Sequence, residues 1–347
     1  MTGVSCPLPI GAYDHVVLGH GSGGRLSADL VERLFVPTLG LDRNAPLEDQ
    51  ATVTLDGGAR IAITTDSFVV SPIFFPGGDI GRLAIDGTVN DLAVGGADPR
   101  WIAAAFVLEE GLPFADLQRI VASMREACRE AEVRLVTGDT KVVERGKGDG
   151  IFITTTGVGT VPAGRSLSIA AARPGDRILV SGSLGDHGVA ILSVREGIAL
   201  ETELKSDVAP VIGLVRALLA AAPGTRAMRD PTRGGLASAT NELAVASNIG
   251  VRLVERALPI RDEVRAACEI WGLEPLHLAS EGRVMAIVPP QEADRALAAM
   301  RAHPLGRDAA IVGECTAEHS GIVSLVSRAG GERIVAMLAG EPLPRIC

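Results

Sequence analysis

Five aspartates stand in odd surroundings. Asp49 follows Glu48 in LEDQA, and Asp66 lies at the end of the apolar run ITTDSFVV. Asp91 sits among small apolar residues in GTVNDLAVGGA, Asp230 in the turn RDPTRGG, and Asp139 in TGDTK. A carboxylate flanked by Ile, Val, Thr and Gly is costly to desolvate unless it is paired or metal-bound. The donors are all oxygen, with no His or Cys pattern beside them, which favours Mg²⁺ over zinc. Taken singly, each aspartate also suits a cap or a turn; several beside glycine loops suit a Mg·ATP site. Glu281, in LASEGRVM, lies between apolar segments. There a glutamate either takes a raised pKa and serves as a base or simply bonds the backbone. Lys141 and Lys147 flank a turn in TGDTKVVERGKGDG, where each is a phosphate contact or a solvated lysine.

The run LGHGSGGRL carries Gly19, Gly21 and Gly24 ahead of an amphipathic pattern in which Leu26, Leu30, Val31, Leu34 and Phe35 share a face. The spacing matches G-x-G-x-x-G, yet the helix leads into the polar, Pro46-broken LDRNAPLEDQ instead of a second strand. A dinucleotide fold is therefore rejected. A P-loop is rejected too, because Arg25 and Leu26 stand where Lys and Ser/Thr are required. A glycine run before a helix still lets amides approach phosphate; a merely flexible loop is the alternative. The last residue, Cys347, ends GEPLPRIC. Seven residues beyond Gly340 reach at most ~25 Å. Pro342 and Pro344 bias them toward an extended arm, and Arg345 beside the thiol can favour the thiolate, partly offset by the adjacent terminal carboxylate.

These residues need a frame of ordinary size. The 347 residues suit two domains. Hydrophobic residues are 47% and charged residues 22% of the chain, enough for buried cores. Aromatics at 3% argue against base-stacking surfaces, and a net charge of −9 argues against nucleic acid as a partner. The N-terminal segment lacks a basic start and unbroken apolar stretch, and no run is long enough to span a membrane. The chain reads as cytoplasmic. Its cysteines, Cys6, Cys128, Cys268, Cys315 and Cys347, form no C-x-x-C pair. That excludes a common zinc or redox framework.

The apolar period alternates between strand and helix. Residues 60–70, 101–110 and 150–161 read as strands, 113–131 as a helix, and 134–139 as a strand entering a loop. A fresh start follows near 165–172: a Pro174-Gly175 turn, the strand RILVSG, and a helix opened by SLGDHG. Helices are then expected at PVIGLVRALLAA, RDEVRAACEIW and EADRALAAMRAH, with a strand at VMAIVPP. The expected fold is α/β (α+β), in two domains of similar size, 1–168 and 169–338, with a mobile tail at 339–347.

Nine segments in order, HGSGG (20–24), EDQA (48–51), TTDSFVV (64–70), GTVNDLAVGGA (87–97), TGDTKVV (137–143), SGSLGDHG (181–188), RDPTRGGLA (229–237), ASEGR (279–283) and PRIC (344–347), closely resemble the HypE family of hydrogenase maturation proteins. That family is similar in architecture to the aminoimidazole ribonucleotide synthetase and selenophosphate synthetase superfamily. The resemblance implies a two-domain PurM-like fold and a homodimer whose N-terminal sheets pair, with Mg·ATP beside the interface. It implies a terminal cysteine, here Cys347, that receives a carbamoyl group from a HypF carbamoyltransferase. ATP-dependent dehydration then gives a thiocyanate, whose cyano group passes to iron on a HypC–HypD complex for a nickel–iron hydrogenase. Carried over by motif, Asp49, Asp66, Asp91 and Asp230 hold Mg²⁺. His20, Gly21, Ser22, Gly23, Gly24, Asp66, Asn90, Thr137, Gly138, Asp139 and Thr140 hold ATP. Lys141 stabilises phosphate or the imidate oxygen, and Glu281 is the general base. Two other readings use the same residues: a superfamily kinase or synthetase for a small molecule, and a non-enzymatic maturation scaffold.

Overall fold

The computed structural model describes residues 13–43, 45–197, 204–338, 340 and 345–347. Cys6 and the two tail prolines lie outside the described residues. The glycine loop leaves a 3-10 turn (Leu18–Gly21) rather than a strand, which agrees with rejecting the dinucleotide motif. It opens α1 (Arg25–Leu30), which passes through a π turn at Val31–Phe35 into α2 (Val36–Thr38). The wider π turn rotates the expected apolar stripe. Leu26 and Val36 are buried, while Leu34 and Phe35 are exposed.

The first half continues with β1 (Ala51–Thr54), β2 (Arg60–Phe68), the short β3 (Phe74–Phe75) and β4 (Gly78–Asp79), and α3 (Ile80–Val94). Then come β5 (Asp98–Glu109), α4 (Phe114–Glu130), β6 (Arg134–Val143) and β7 (Ile151–Thr160). The main sheet runs β1-β2-β7-β5-β6. Only β5 and β6 pair in parallel, and α4 supplies the crossover such a pair requires. Asp79 caps α3 by accepting from Gly81 N (2.8 Å) and Arg82 N (3.0 Å). Gly81 is required where α3 meets α4, because a Cβ there would stand 2.5 Å from the Ile120 carbonyl oxygen. The segment expected as a strand over 134–139 stays in the sheet to Val143. Pairing with β5 through Val107 and Glu109 holds Asp139, Thr140 and Lys141 extended, and the turn falls later.

The second half holds β8 (Arg177–Val180), α5 (Asp186–Arg195), α6 (Ile212–Ala221), β9 (Ala227–Arg229), α7 (Gly235–Ala246) and β10 (Gly250–Val254). It ends with α8 (Asp262–Trp271), β11 (Met285–Val288), α9 (Ala293–Ala302), β12 (Ala310–Thr316), β13 (Val323–Val326) and β14 (Glu332–Ile334). Their sheet runs β14-β13-β10-β12-β8-β11-β9, with β10 and β13 parallel. The helix α3 is buried on nearly every side. One side faces β2 and β7; another meets α6 and β9. One core cluster, including Phe68, Leu83, Val189, Leu278 and Ile346, therefore joins both halves of the chain. No helix among the described residues is long and apolar enough to cross a membrane.

Candidate active site

Alternation along β2 sends Ala62, Thr64, Asp66 and Phe68 to the side that packs on α3, while Ile63, Thr65 and Ser67 face away. Asp91 projects from α3 beside this row: Thr64 Oγ1 lies 2.8 Å from Asp91 Oδ2 and 2.7 Å from the Asp49 carbonyl oxygen. The turn after β9 brings Asp230. Carboxylate oxygens of Asp49, Asp91 and Asp230 lie within 4.8 Å of one another. Asp49 is also paired to the buried Arg229. Asp66 lines the same cavity, whose volume is about 200 Å³. Thr232, Arg233, Glu281 and Cys347 also line it.

Electrostatics mark this cluster as incomplete by itself. Burial, then the neighbouring Asp66 and Asp230 charges, push the Asp91 carboxyl well above the ordinary range. Burial chiefly, with Asp66 and Glu242 adding repulsion, pushes Asp230 up to about 6. Glu281 is raised well above the ordinary range, first by burial and then by Asp230 and Asp207. Its Oε1 has no hydrogen-bond partner among the described residues. A partly buried set of oxygen donors that repel one another fits a hard divalent cation.

The glycine loop is fastened beside this wall. Arg233 Nη1 donates to the Gly21 carbonyl (3.0 Å), and Ser238 Oγ donates to the Gly23 carbonyl (3.2 Å). Ser22 Oγ donates to the Gly19 carbonyl (2.7 Å), and His20 Nδ1 accepts from Val17 N (3.0 Å). Gly24 ends the loop, and the next amide, Arg25 N, donates to the Leu338 carbonyl (2.8 Å).

Other sequence-selected residues fall elsewhere. Asn90 is fully buried and faces a chain crossing. Its Nδ2 donates to the Ala209 and Glu281 carbonyls (both 3.1 Å), and its Oδ1 accepts from Val211 N (2.8 Å). Thr137, Gly138, Asp139, Thr140 and Lys141 lie on β6, all exposed. Lys141 is paired with Asp139 at 2.7 Å. Asp66 opposes Thr155, Thr155 opposes Ala104, and Ala104 opposes Gly138. Three strand intervals thus separate the two groups, roughly 14 Å. Arg345 turns to Asp149, on the loop before β7.

Sequence reasoning missed Thr64, Thr65, Ser67, Thr232 and Arg233 as cavity wall, and Arg229 as the partner of Asp49. Thr64, Thr65, Ser67, Arg229, Thr232 and Arg233 all lay inside the quoted TTDSFVV and RDPTRGG segments. Their closeness in sequence to Asp66 and Asp230 was the available signal, although Thr64 bonds Asp91 and Arg229 pairs with Asp49, each on another segment.

Two family profiles match this chain: the AIR synthase related protein N-terminal domain over residues 47–161 and its C-terminal domain over 173–326. The chain is 57% identical to carbamoyl dehydratase HypE of Azotobacter vinelandii, over 96% of this chain and 97% of that protein. A crystal structure of a HypE–HypF complex superposes with TM-score 0.84 at 45% identity, covering 89% of this chain and 99% of that one. A structure of HypE in complex with ATP gives TM-score 0.81 at 45% identity, covering 96% and 100%.

Proposed function

The chain belongs to the HypE family of carbamoyl dehydratases, and from that premise we propose that its acidic cavity is where ATP drives dehydration of an S-carbamoyl group on its own Cys347. The observation that carries this reading is the presence of Cys347 in the same cavity wall as Glu281, Asp49, Asp66, Asp91 and Asp230. A substrate-bearing thiol, a buried base and a cation-binding set meet in one chain.

The amide oxygen of a thiocarbamate is a poor leaving group. ATP phosphorylates it, the carbon–oxygen bond breaks, and phosphate departs. The nitrogen loses two protons as the carbon–nitrogen triple bond forms. The sum converts S-carboxamide and ATP to S-cyanate, ADP and phosphate. Glu281 takes a proton from the nitrogen; its raised basicity suits that task at neutral pH. Asp49, Asp91 and Asp230, with Asp66 beside them, would hold Mg²⁺, which when bound supplies charge screening for the phosphates. The glycine loop at residues 20–24, tied to Arg233, offers backbone amides at the cavity rim.

Lys141 cannot reach this cavity across its own sheet, so we assign it to the site of a second copy. Among the described residues the sheet face turned from α3 is uncovered: Ile63, Trp101 and Val107 are exposed on it, with Leu135, Val136 and Val142 exposed on the edge strand β6. A homodimer pairing these faces buries that apolar surface and carries Thr137–Lys141 toward the partner's ATP. The carbamoyl donor is a HypF carbamoyltransferase, the protein bound to HypE in the neighbouring structure. The cyano group is consumed by iron on a HypC–HypD complex, which places this chain in nickel–iron hydrogenase maturation.

Mass spectrometry of the C-terminal peptide tests the reading. Incubating carbamoylated protein with Mg·ATP should remove one water from that peptide; an unchanged mass overturns it in favour of a scaffold. Deleting residues 340–347 should abolish the reaction, whereas phosphorylation of a free small molecule surviving that deletion would assign the chain to the kinase branch. One residue added after Cys347 should impair processing.

A further inference from the structure

The last three residues are docked, and the manner of docking singles out a residue that the dehydration reaction itself does not use. Ile346 is 3% exposed and packs in the core cluster shared by both halves. Backbone bonds lay the terminus along the segment after β2: Ser71 N donates to the Arg345 carbonyl (3.1 Å) and Val69 N to the Cys347 carbonyl (3.3 Å). Arg195 Nη2 bridges the Ser71 and Arg345 carbonyls at 2.6 and 2.7 Å. Arg345 adopts φ +60°. That left-handed turn is uncommon for a side-chain-bearing residue and directs the following Ile346 inward.

Between Arg345 and Cys347 the remaining carbonyl, that of Ile346, meets His187 Nε2 at 2.8 Å. His187 is fully buried in the first turn of α5. A carbonyl only accepts, so Nε2 carries the hydrogen. Nδ1 then accepts from Ser206 Oγ, 2.7 Å away, and the same oxygen accepts from Val208 N (3.1 Å). The next residue, Asp207, accepts from Glu281 N (3.1 Å) and pairs with Arg283 Nε (3.2 Å). The dipeptide Ser206-Asp207 thus fixes the backbone of the base on one side. Through His187, it fixes the carbonyl adjoining the reacting cysteine on the other.

We propose that His187, keyed by Ser206, is a positioning residue that latches the C-terminal tripeptide in the cavity, holding carbamoyl-Cys347 in register with Glu281 and releasing it for reloading. The catalytic part of this rests on the dehydration reading above; the latch itself rests only on the docked tail. The lock is reversible because it consists of a few backbone bonds, one apolar anchor and the Arg195 fork. Losing one bond to a buried carbonyl shifts the docked-to-free ratio about tenfold.

The test is the alkylation rate of Cys347 by iodoacetamide in the full chain, read on the C-terminal peptide. The buried Cys128, Cys268 and Cys315 report folding in the same digest. His187→Phe, which keeps a ring and loses both nitrogens, should speed Cys347 alkylation about tenfold. His187→Gln keeps an N–H donor and should return the rate toward wild type. Ser206→Ala should give a several-fold increase, and it decides the matter if the buried cysteines of His187→Phe also react. In carbamoylated protein, His187→Phe should lower kcat for water loss with KM for Mg·ATP unchanged. Wild-type alkylation rates in both His187→Phe and Ser206→Ala overturn the latch. Should Cys347 be freed as expected while even the wild type fails to lose water, the latch stands and the dehydration reading falls.

Discussion

Across the five-stranded sheet the chain treats β2 and β6 in opposite ways. The β2 side is enclosed: α3 packs against it, the Asp230 turn and Glu281 close over it, and the last three residues fold back beside it. Among the described residues the β6 edge has no such cover, and every residue from Arg134 to Lys141 is exposed. Yet both carry motif residues of one chemistry. Enclosure gives Asp91, Asp230 and Glu281 their raised proton affinity, because the low-dielectric surroundings penalise each charge. Exposure leaves Lys141 to its neighbour Asp139, whose carboxyl that lysine holds below the ordinary range. On the proposed reading, one side is a site assembled within a chain, and the other is what a chain would contribute to its partner's site.

The enclosed side should break most completely. Cys347→Ser is expected to abolish thiocyanate formation, because no sulfur remains to carry the cyano group. Glu281→Gln should slow water loss from the carbamoylated C-terminal peptide by about 10²–10⁴-fold, the usual worth of a general base. A wild-type rate in Glu281→Gln removes the base from this account.

The exposed side should break next, and in a way that distinguishes it from the first. Lys141→Ala is expected to cost about 10²–10³-fold in single-turnover dehydration, the range for a positioned donor to developing charge. Subunit-exchanged mixtures of Lys141→Ala and Glu281→Gln chains should recover about one quarter of wild-type activity. Random pairing makes half the dimers mixed, and each mixed dimer has one intact site. No recovery on mixing would place Lys141 in its own chain's site.

Asp91→Asn sharpens the electrostatic half of the comparison. A carboxyl whose folded pKa is raised holds its proton longer in the folded state than in the unfolded one. The metal-free protein therefore loses stability as pH rises from about 4 through the folded values, about 6 at Asp230 and raised well above the ordinary range at Asp91. Asp91→Asn should raise the metal-free Tm near pH 7 by a few degrees and flatten its fall between acid and neutral pH. It should also shrink the Tm gain on adding Mg²⁺. Thermal melts at two pH values, with and without Mg²⁺, read all three effects, and an unchanged Mg²⁺ response would remove Asp91 from the metal set.

Much of the enclosed side was legible in the sequence, because carboxylates among Ile, Val and Gly are anomalous wherever the chain later places them. Helix α4 was legible through its apolar spacing, from Ile120 to Met124 and Cys128, all buried. The extent of β6 was not. Its Thr-Gly-Asp-Thr-Lys run has no apolar alternation, and only pairing with β5 makes it a strand. Asn90 was carried over with its motif as an ATP residue, and the motif does not show that its side chain bonds the backbone at Ala209, Val211 and Glu281. The tail was legible in composition and illegible in posture. Nothing local to PRIC names Asp149, Arg195 or His187, which reach it from distant segments.

The smallest expected effect lies where the glycine loop joins the enclosed side. Gly23 has φ +72°, and a Cβ there would stand 2.7 Å from Arg233 Cβ and 2.9 Å from the Arg233 carbonyl oxygen. Gly23→Ala therefore meets two penalties at once, a left-handed backbone worth about 1–2 kcal/mol and a collision with the residue that lines the cavity. The loop should withdraw from Arg233, breaking the bond from Ser238 to the Gly23 carbonyl. Because the carboxylate cluster and Cys347 are anchored through β2, α3 and the β9 turn, Mg²⁺ binding should hold while KM for ATP rises several-fold. Equilibrium nucleotide binding against Mg²⁺ titration separates the two. Equal losses in both would show that the loop supports the metal set as well, and that the enclosed side is one cooperative unit reaching as far as residue 20.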